Sequence, residues 1–191
     1  MSHLYPRTKQ FLKTDYATRE ELFQELATGQ APKTLMITCS DSRINPALVT
    51  QTEPGELFVV RNAGNLVAPY EQANEETSGE WATIEYALSV LNVKEIIVCG
   101  HSHCGAITAV HAGKPTGLKA VDAWLKHAVK PCGESLEELI ACNVTAQLAN
   151  LLTHPVVAEA VREGRLELYG WVYHIASGQV TPVATPSLAN S

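Results

Sequence analysis

The sequence lacks the features that mark several large classes of protein. It has no run of basic residues, and 14 basic against 20 acidic residues give a net charge of −6, so the electrostatic footprint of a nucleic-acid-binding protein is missing. No apolar run approaches the ~20 residues of a membrane-spanning helix. No N-terminal stretch joins a basic region to an apolar segment and a small-residue cleavage site, so we expect the chain to be cytoplasmic. There is also no internal repeat.

Charged residues are scarce as well, at 18% of the chain against the ~25% usual in globular proteins. This predicts that part of the surface is buried against another copy of the chain. A hydrophobic content of 46% over 191 residues allows a sizeable core.

There are only five cysteines, and cytoplasmic thiols stay reduced. We therefore expect metal ligands, a reactive thiol or core thiols before disulfides.

Short apolar runs alternate with segments of helical periodicity. The runs predict strands covered on both faces over Thr34–Cys39, Leu57–Asn62 and residues 95–99. Helices are predicted in an arm over residues 1–29 and over 79–91, 104–112, 135–152 and 156–162, and further strands over 165–175 and 179–183. This order predicts an α/β fold: a single domain, 1–191, with a central mixed, mostly parallel β-sheet flanked by helices and an N-terminal helical arm.

A cluster of reactive side chains follows the first predicted strand. Cys39, Asp41 and Arg43 alternate along the chain, and side chains two apart in an extended segment face the same side. Because open α/β sheets bind ligands beyond the carboxyl ends of their strands, we predict that all three point into one cleft. Arg43 would hold Asp41 ionised and oriented; a purely structural salt bridge is the alternative.

A second cluster follows the strand that ends at Cys99. His101 and Cys104 are three residues apart, a separation that lets a tight turn aim both at one ion. Two thiolates and an imidazole are good zinc ligands, and three protein ligands leave the fourth position for water. We predict a catalytic zinc site at Cys39, His101 and Cys104. His103 is the alternative imidazole, and inert core thiols are the alternative for the two cysteines.

The remaining cysteines have no predicted task at this site. Cys99 belongs to an apolar strand and is predicted to be a buried core thiol. Cys132 and Cys142 have no histidine or aspartate partner at ligand spacing, so we expect both to be bystanders.

Several motifs resemble those of the β-class carbonic anhydrases. They are CSDSR at 39–43, PGELFVVRNAGN at 54–65, IEYA at 84–87, GHSHCG at 100–105 and GWVY at 170–173. The resemblance implies zinc-dependent reversible hydration of carbon dioxide to bicarbonate and a proton, through a hydroxide at one zinc ion per chain. It assigns the zinc to Cys39, His101 and Cys104, and it makes Asp41 and Arg43 the catalytic dyad.

The resemblance also implies a substrate pocket and a partner. Plant-like members line the pocket with residues that correspond to Gln30, Phe58 and Tyr86. Gln30 would hydrogen-bond a bicarbonate oxygen, and Phe58 would offer carbon dioxide an apolar surface. Met36 stands where the closed, bicarbonate-regulated subgroup has tryptophan, so we expect the open type. Family members are dimers or multiples of dimers with pocket residues supplied across the interface, so we expect a homodimer or larger homo-oligomer.

Three other functions remain open at this point. One is hydrolysis of carbon disulfide or carbonyl sulfide on the same scaffold. Another is a non-enzymatic zinc module in which Asp41 is a closed fourth ligand. The third is a thiol redox protein that uses Cys99 and Cys104.

Overall fold

The N-terminal segment forms a compact unit of its own. The computed structural model describes residues 2–72, 79–129 and 132–186, and the chain divides into units over 1–31 and 32–191. The first unit contains helices α1 (Tyr5–Lys13) and α2 (Glu20–Leu26), with a short 3₁₀ turn between them. Tyr16 and Phe23 stack with ring centroids 5.1 Å apart. No residue from 2 to 31 is buried, so this helical arm has no core of its own, and its role in dimerisation stays a prediction.

The second unit is built on a five-stranded sheet. Its strands are β1 (Thr34–Cys39), β2 (Leu57–Asn62), β3 (Glu95–His101), β4 (Glu167–Tyr173) and β5 (Val180–Val183), in the spatial order β2-β1-β3-β4-β5. The first four strands are parallel and β5 pairs antiparallel with β4. The mixed, mostly parallel α/β sheet is therefore confirmed. β3 runs two residues beyond its predicted end because Gly100 and His101 continue the ladder with β4.

Helices flank this sheet. They are α3 (Pro46–Thr50), α4 (Gly79–Ser89), α5 (Gly105–His111), α6 (Lys119–Trp124), α7 (Leu136–Thr153) and α8 (Pro155–Arg162). The sequence analysis missed α3 and α6 because five or six residues are too few to show a helical period. Helix α7 starts at the predicted capping box, in which Ser135 Oγ accepts from Glu138 N and the Glu138 carboxylate accepts from Ser135 N. None of the described helices is long and apolar enough to cross a membrane.

Helix α7 lies close against the sheet because glycines face it. A Cβ atom on Gly100 would lie 2.9 Å from Val144 Cγ2, and one on Gly170 would lie 2.9 Å from Leu148 Cδ1. Any side chain at these glycines would push the helix away from β3 and β4. The close approach places Val144 of α7 beside the carboxyl end of β3.

Cys132 and Cys142 form a disulfide bond, so the expectation that the cysteines are reduced is wrong for this pair. Cys142 lies in α7 and Cys132 in the loop before it, with Cα atoms 6.7 Å apart, within the range that a disulfide spans. The fold of the loop onto α7 creates this proximity, and no ligand-like spacing in the sequence announces it. Cys39, Cys99 and Cys104 remain free thiols.

This pairing predicts the outcome of alkylation under denaturing conditions without reductant. Iodoacetamide should label Cys39, Cys99 and Cys104, while Cys132 and Cys142 should be recovered by mass spectrometry as one linked peptide pair. Reduction before alkylation should label all five. Labelling of Cys132 and Cys142 without reductant would show that the bond does not form in solution.

Candidate metal centre

Two neighbouring strands and one helix start bring three donor side chains together. β1 ends at Cys39 and β3 ends at His101, and the parallel register that pairs Thr38 with Cys99 puts both ends at the same edge of the sheet. The chain then turns, and Cys104 occupies the N-cap position of α5. All three side chains are buried. The sequence predicts this convergence, and the structure places the three residues in one group.

The donor atoms of this group are close together. The sulfur atoms of Cys39 and Cys104 are 3.8 Å apart, and all three donor atoms lie within 4.8 Å of one another. His101 Nδ1 lies 3.0 Å from the carbonyl oxygen of Ser102. Because a carbonyl only accepts, Nδ1 carries the proton and Nε2 presents a lone pair. Nε2 is buried without a hydrogen-bond partner, which is unusual unless the atom binds something else.

The group fits a zinc ion. Two sulfurs bound at about 2.3 Å to one tetrahedral zinc lie about 3.8 Å apart, and the sulfurs of Cys39 and Cys104 already have this separation. The unpartnered Nε2 of His101 supplies the nitrogen that such a site requires. Two cysteines and one histidine form a donor set found in catalytic zinc sites.

The two thiols interact strongly. A hydrogen bond from Cys104 lowers the pKa of Cys39 to about 4, with backbone N–H groups acting in the same direction and burial opposing them. The same contact with Cys39, together with burial, raises the pKa of Cys104. Of the two thiols, Cys39 therefore ionises first and Cys104 keeps its proton longer. A divalent cation would favour release of that proton, because both ligands bind as thiolates.

Asp41 and Arg43 form a closely paired dyad beside the thiols. Arg43 Nε donates to Asp41 Oδ1 at 2.9 Å and Nη2 donates to Oδ2 at 2.6 Å, while the backbone N–H of Arg43 also donates to Oδ1. These bonds hold the pKa of Asp41 well below its usual range. Oδ2 lies 3.8 Å from His101 Nε2, so an ionised, oriented carboxylate borders the candidate metal site.

Backbone carbonyls hold the arginines in place. Arg61 Nε donates to Cys39 O at 3.0 Å, and its Nη2 donates to Asp41 O at 2.7 Å and Ile44 O at 2.9 Å. Arg43 Nη2 also donates to the carbonyl of His103 at 3.0 Å. Sequence reasoning assigned no role to Arg61. An arginine near the end of an otherwise apolar strand could have indicated that its guanidinium group has specific hydrogen-bond partners. Its three hydrogen bonds brace the loop that carries Cys39 and Asp41.

The alternative residues lie elsewhere. His103 has an exposed side chain and a left-handed backbone, with φ of +55°, and is not part of the donor group. Cys99 is fully buried, and burial raises its pKa to about 12, which confirms it as a core thiol. It packs with Met36 and Ile97 on the face of the sheet opposite the face that carries Cys39. A redox pair of Cys99 with Cys104 is therefore disfavoured.

Phe58, one of the predicted pocket residues, does not join the donor group of its own chain. Phe58 pairs in register with Leu35, four residues before Cys39, or about 13 Å along the strand at ~3.3 Å per residue. Phe58 is half-buried and lies 6.0 Å, between ring centroids, from the exposed Tyr86. Gln30 lies exposed in the first unit. The structure thus brings Phe58 and Tyr86 to each other, and the pocket role of all three residues stays a prediction.

Fold and donor group together define an α/β protein with a candidate mononuclear metal centre at the carboxyl edge of its sheet. Comparison with known proteins specifies the family. The carbonic anhydrase family model matches residues 34–180. A carbonic anhydrase of Pseudomonas aeruginosa is 50% identical over 182 residues, covering 89% of this chain and 81% of that protein.

Solved structures agree with this assignment. The β-carbonic anhydrase CcaA superposes with a TM-score of 0.85 at 39% identity, covering 95% of this chain and 97% of that one. One of two tetrameric β-carbonic anhydrases from Sordaria macrospora gives 0.83 at 29% identity, with 96% of each chain covered. The chain belongs to the β-class carbonic anhydrases.

Proposed function

We propose that this chain catalyses the reversible hydration of carbon dioxide to bicarbonate and a proton, with one zinc ion held by Cys39, His101 and Cys104. The observation that carries the proposal is the buried donor group, with its two sulfurs 3.8 Å apart and the unpartnered Nε2 of His101. Membership of the carbonic anhydrase family supports the reaction. When bound, zinc lowers the pKa of a water molecule and supplies a nucleophile at neutral pH.

Asp41 is the chain's hydrogen-bond acceptor for the reacting water in this scheme. Its Oδ2 borders the donor group at 3.8 Å from His101 Nε2, so it is placed to accept a hydrogen bond from the water that reacts. Arg43 keeps the carboxylate ionised and fixes its direction through two side-chain hydrogen bonds. Because an intact pair of Asp41 with Arg43 is what an open site needs, this arrangement supports the open type and not a site closed by Asp41 as a ligand.

The two cysteines set the charge of the site. Two thiolates offset the charge of a zinc dication, so the acidity of the water would be raised less than at a site with three neutral histidines. A hydrogen-bond acceptor next to the water would therefore be more important here. The carboxylate of Asp41, with Oδ2 3.8 Å from His101 Nε2, is placed to be that acceptor.

The substrate pocket is proposed to form between two copies of the chain. Phe58 and Tyr86 lie together but away from the donor group of their own chain, which suits residues that serve a neighbour's site. The tetrameric state of the Sordaria macrospora relatives supports self-association. In the assembled pocket Phe58 would give carbon dioxide an apolar wall, and Gln30 would hydrogen-bond a bicarbonate oxygen. The cytoplasmic location stays a prediction.

Loss of one thiolate should remove the metal and the activity together. We expect Cys39→Ser to bind zinc far more weakly and to lose carbon dioxide hydration, because a serine hydroxyl does not ionise to serve as the missing ligand. Zinc analysis and stopped-flow hydration measure both effects. Cys99→Ala is the matched control and should keep one zinc per chain. Full activity of a metal-free preparation would refute the proposal.

Asp41→Asn should separate catalysis from metal binding. The amide is nearly the same size but carries no charge, so we expect native zinc content and a fall in hydration rate of about a hundredfold or more. Glu163→Gln is the control, since it removes an exposed carboxylate that pairs with Arg165 at the end of α8. An unchanged rate in fully zinc-loaded Asp41→Asn would remove Asp41 from the mechanism.

Hybrid oligomers can test the shared pocket. Cys39→Ser and Phe58→Ala chains, coexpressed with different tags, should give doubly tagged oligomers more active than the mean of the two parents. This follows because a Phe58→Ala chain keeps its donor group and receives an intact Phe58 from its neighbour. If each chain used its own Phe58, hybrid activity would equal the parental mean.

A further inference from the structure

A sharp turn joins two of the three donor residues. His101 ends β3, and Cys104 occupies the N-cap position of α5. Of the two residues between them, His103 has a left-handed backbone with φ of +55°. This conformation is uncommon for residues other than glycine, and it persists where surrounding contacts enforce it. Contacts from outside the turn should therefore hold it in place.

Ser102, the other residue of the turn, makes such contacts with the end of β4. Its Oγ accepts from the backbone N–H of Ile175 at 3.0 Å. Its own N–H donates to the carbonyl of Tyr173 at 2.9 Å, which extends the pairing of β3 with β4 past His101. Ser102 is 8% exposed, so water competes little for these bonds. The turn is thus tied to the connection between β4 and β5.

The carbonyl of Ser102 contacts one of the donor residues directly. His101 Nδ1 donates to this oxygen at 3.0 Å, and Nε2 of the same ring therefore presents its lone pair. A backbone carbonyl that accepts from the outer nitrogen of a histidine ligand fixes the tautomer and the orientation of its ring. The direction of the Ser102 carbonyl therefore determines how the His101 imidazole meets an ion.

Arg43 holds the other side of the turn. Its Nη2 donates to the carbonyl of His103 at 3.0 Å, while the same guanidinium binds Asp41. The Arg43 side chain is 48% exposed, so water competes with this bond. Of the two anchors, the hydroxyl of Ser102 is therefore the better shielded one.

We propose that Ser102 is a positioning residue of the metal centre: its hydroxyl, tied to Ile175, keeps its own carbonyl at His101 Nδ1 and so keeps Nε2 directed into the donor group. The inference rests on the proposed zinc site at Cys39, His101 and Cys104. Groups that orient a metal ligand typically contribute ten- to a hundredfold to metal affinity. Because the hydroxyl acts through the backbone of its own residue, we expect about tenfold, the lower end of this range.

Two substitutions at one position isolate the contribution of the hydroxyl. Ser102→Ala removes the acceptor for Ile175 N–H, while Ser102→Thr keeps a hydroxyl and adds one methyl group. Ser102 borders a mainly apolar cavity of about 100 Å³, so there is space beside it for this methyl group. Ser177→Ala is the matched control. It removes another serine oxygen of the β4–β5 connection, one that accepts from Gln179 N–H at 3.3 Å and does not touch the turn.

We expect Ser102→Ala to bind zinc about tenfold more weakly than the native chain, as measured by competition with a chromophoric chelator. Its ligand-field bands after substitution with cobalt should shift, because the imidazole is reoriented. Ser102→Thr and Ser177→Ala should keep the native affinity and band positions. Native affinity in Ser102→Ala would overturn the inference, and so would an equal loss in either of the other two variants. A native chain that binds no zinc would instead refute the proposed function, and this inference with it.

Hydrogen exchange in the native chain covers the case in which Ser102→Ala does not fold. Coupling free energies are reciprocal, so if the bond between Ser102 and Ile175 supports zinc binding, zinc must support that bond. The Ile175 amide should therefore exchange about tenfold more slowly in the zinc-loaded chain than in the zinc-free chain, while the Gln179 amide should exchange equally in both. An unchanged rate at Ile175, or the same slowing at both amides, would overturn the inference.

Discussion

The parallel pairing of β1 with β3 is the interaction on which the site depends. Its register brings the end of β1, at Cys39, beside the end of β3, at His101. Side chains alternate between faces along a strand, so a slip of one residue would turn Cys39 to the opposite face of the sheet. The ladder of β3 with β4 extends this order through His101. The placement of the donor residues at this edge therefore depends on backbone hydrogen bonds between strands in the core.

Around the donor group, main-chain atoms provide most of the support. Arg61 binds three carbonyls of the loop that carries Cys39 and Asp41, and Arg43 binds the carbonyl of His103. On the other side, α7 holds the segment after β2 through side-chain amides. The arginine and amide side chains form hydrogen bonds with backbone groups that would otherwise be unpaired close to the buried donor group. These hydrogen bonds hold the backbone of the loop that follows β1 and of the segment that follows β2.

Local patterns in the sequence predicted much of this arrangement. The bounds of β1 and β2 and the start of α7 at its capping box follow from apolar runs and from one short polar motif. The convergence of Cys39, His101 and Cys104 follows from their position at strand ends. The short helices α3 and α6 were missed because they show no period, and the disulfide of Cys132 with Cys142 because it depends on how a loop folds onto α7.

The α/β fold and the grouping of Cys39, His101 and Cys104 at one edge of the sheet could be predicted from the sequence, because strand periodicity and the position of residues after strand ends are local properties. The surroundings of these three residues depend on how the chain folds. The tertiary structure shows that Arg61 braces carbonyls, that Asn143 reaches Gly64 across 79 residues of chain, and that Phe58 lies beside Tyr86 instead of the donor group. Such contacts join distant segments through packing, and no local pattern encodes which segments will meet.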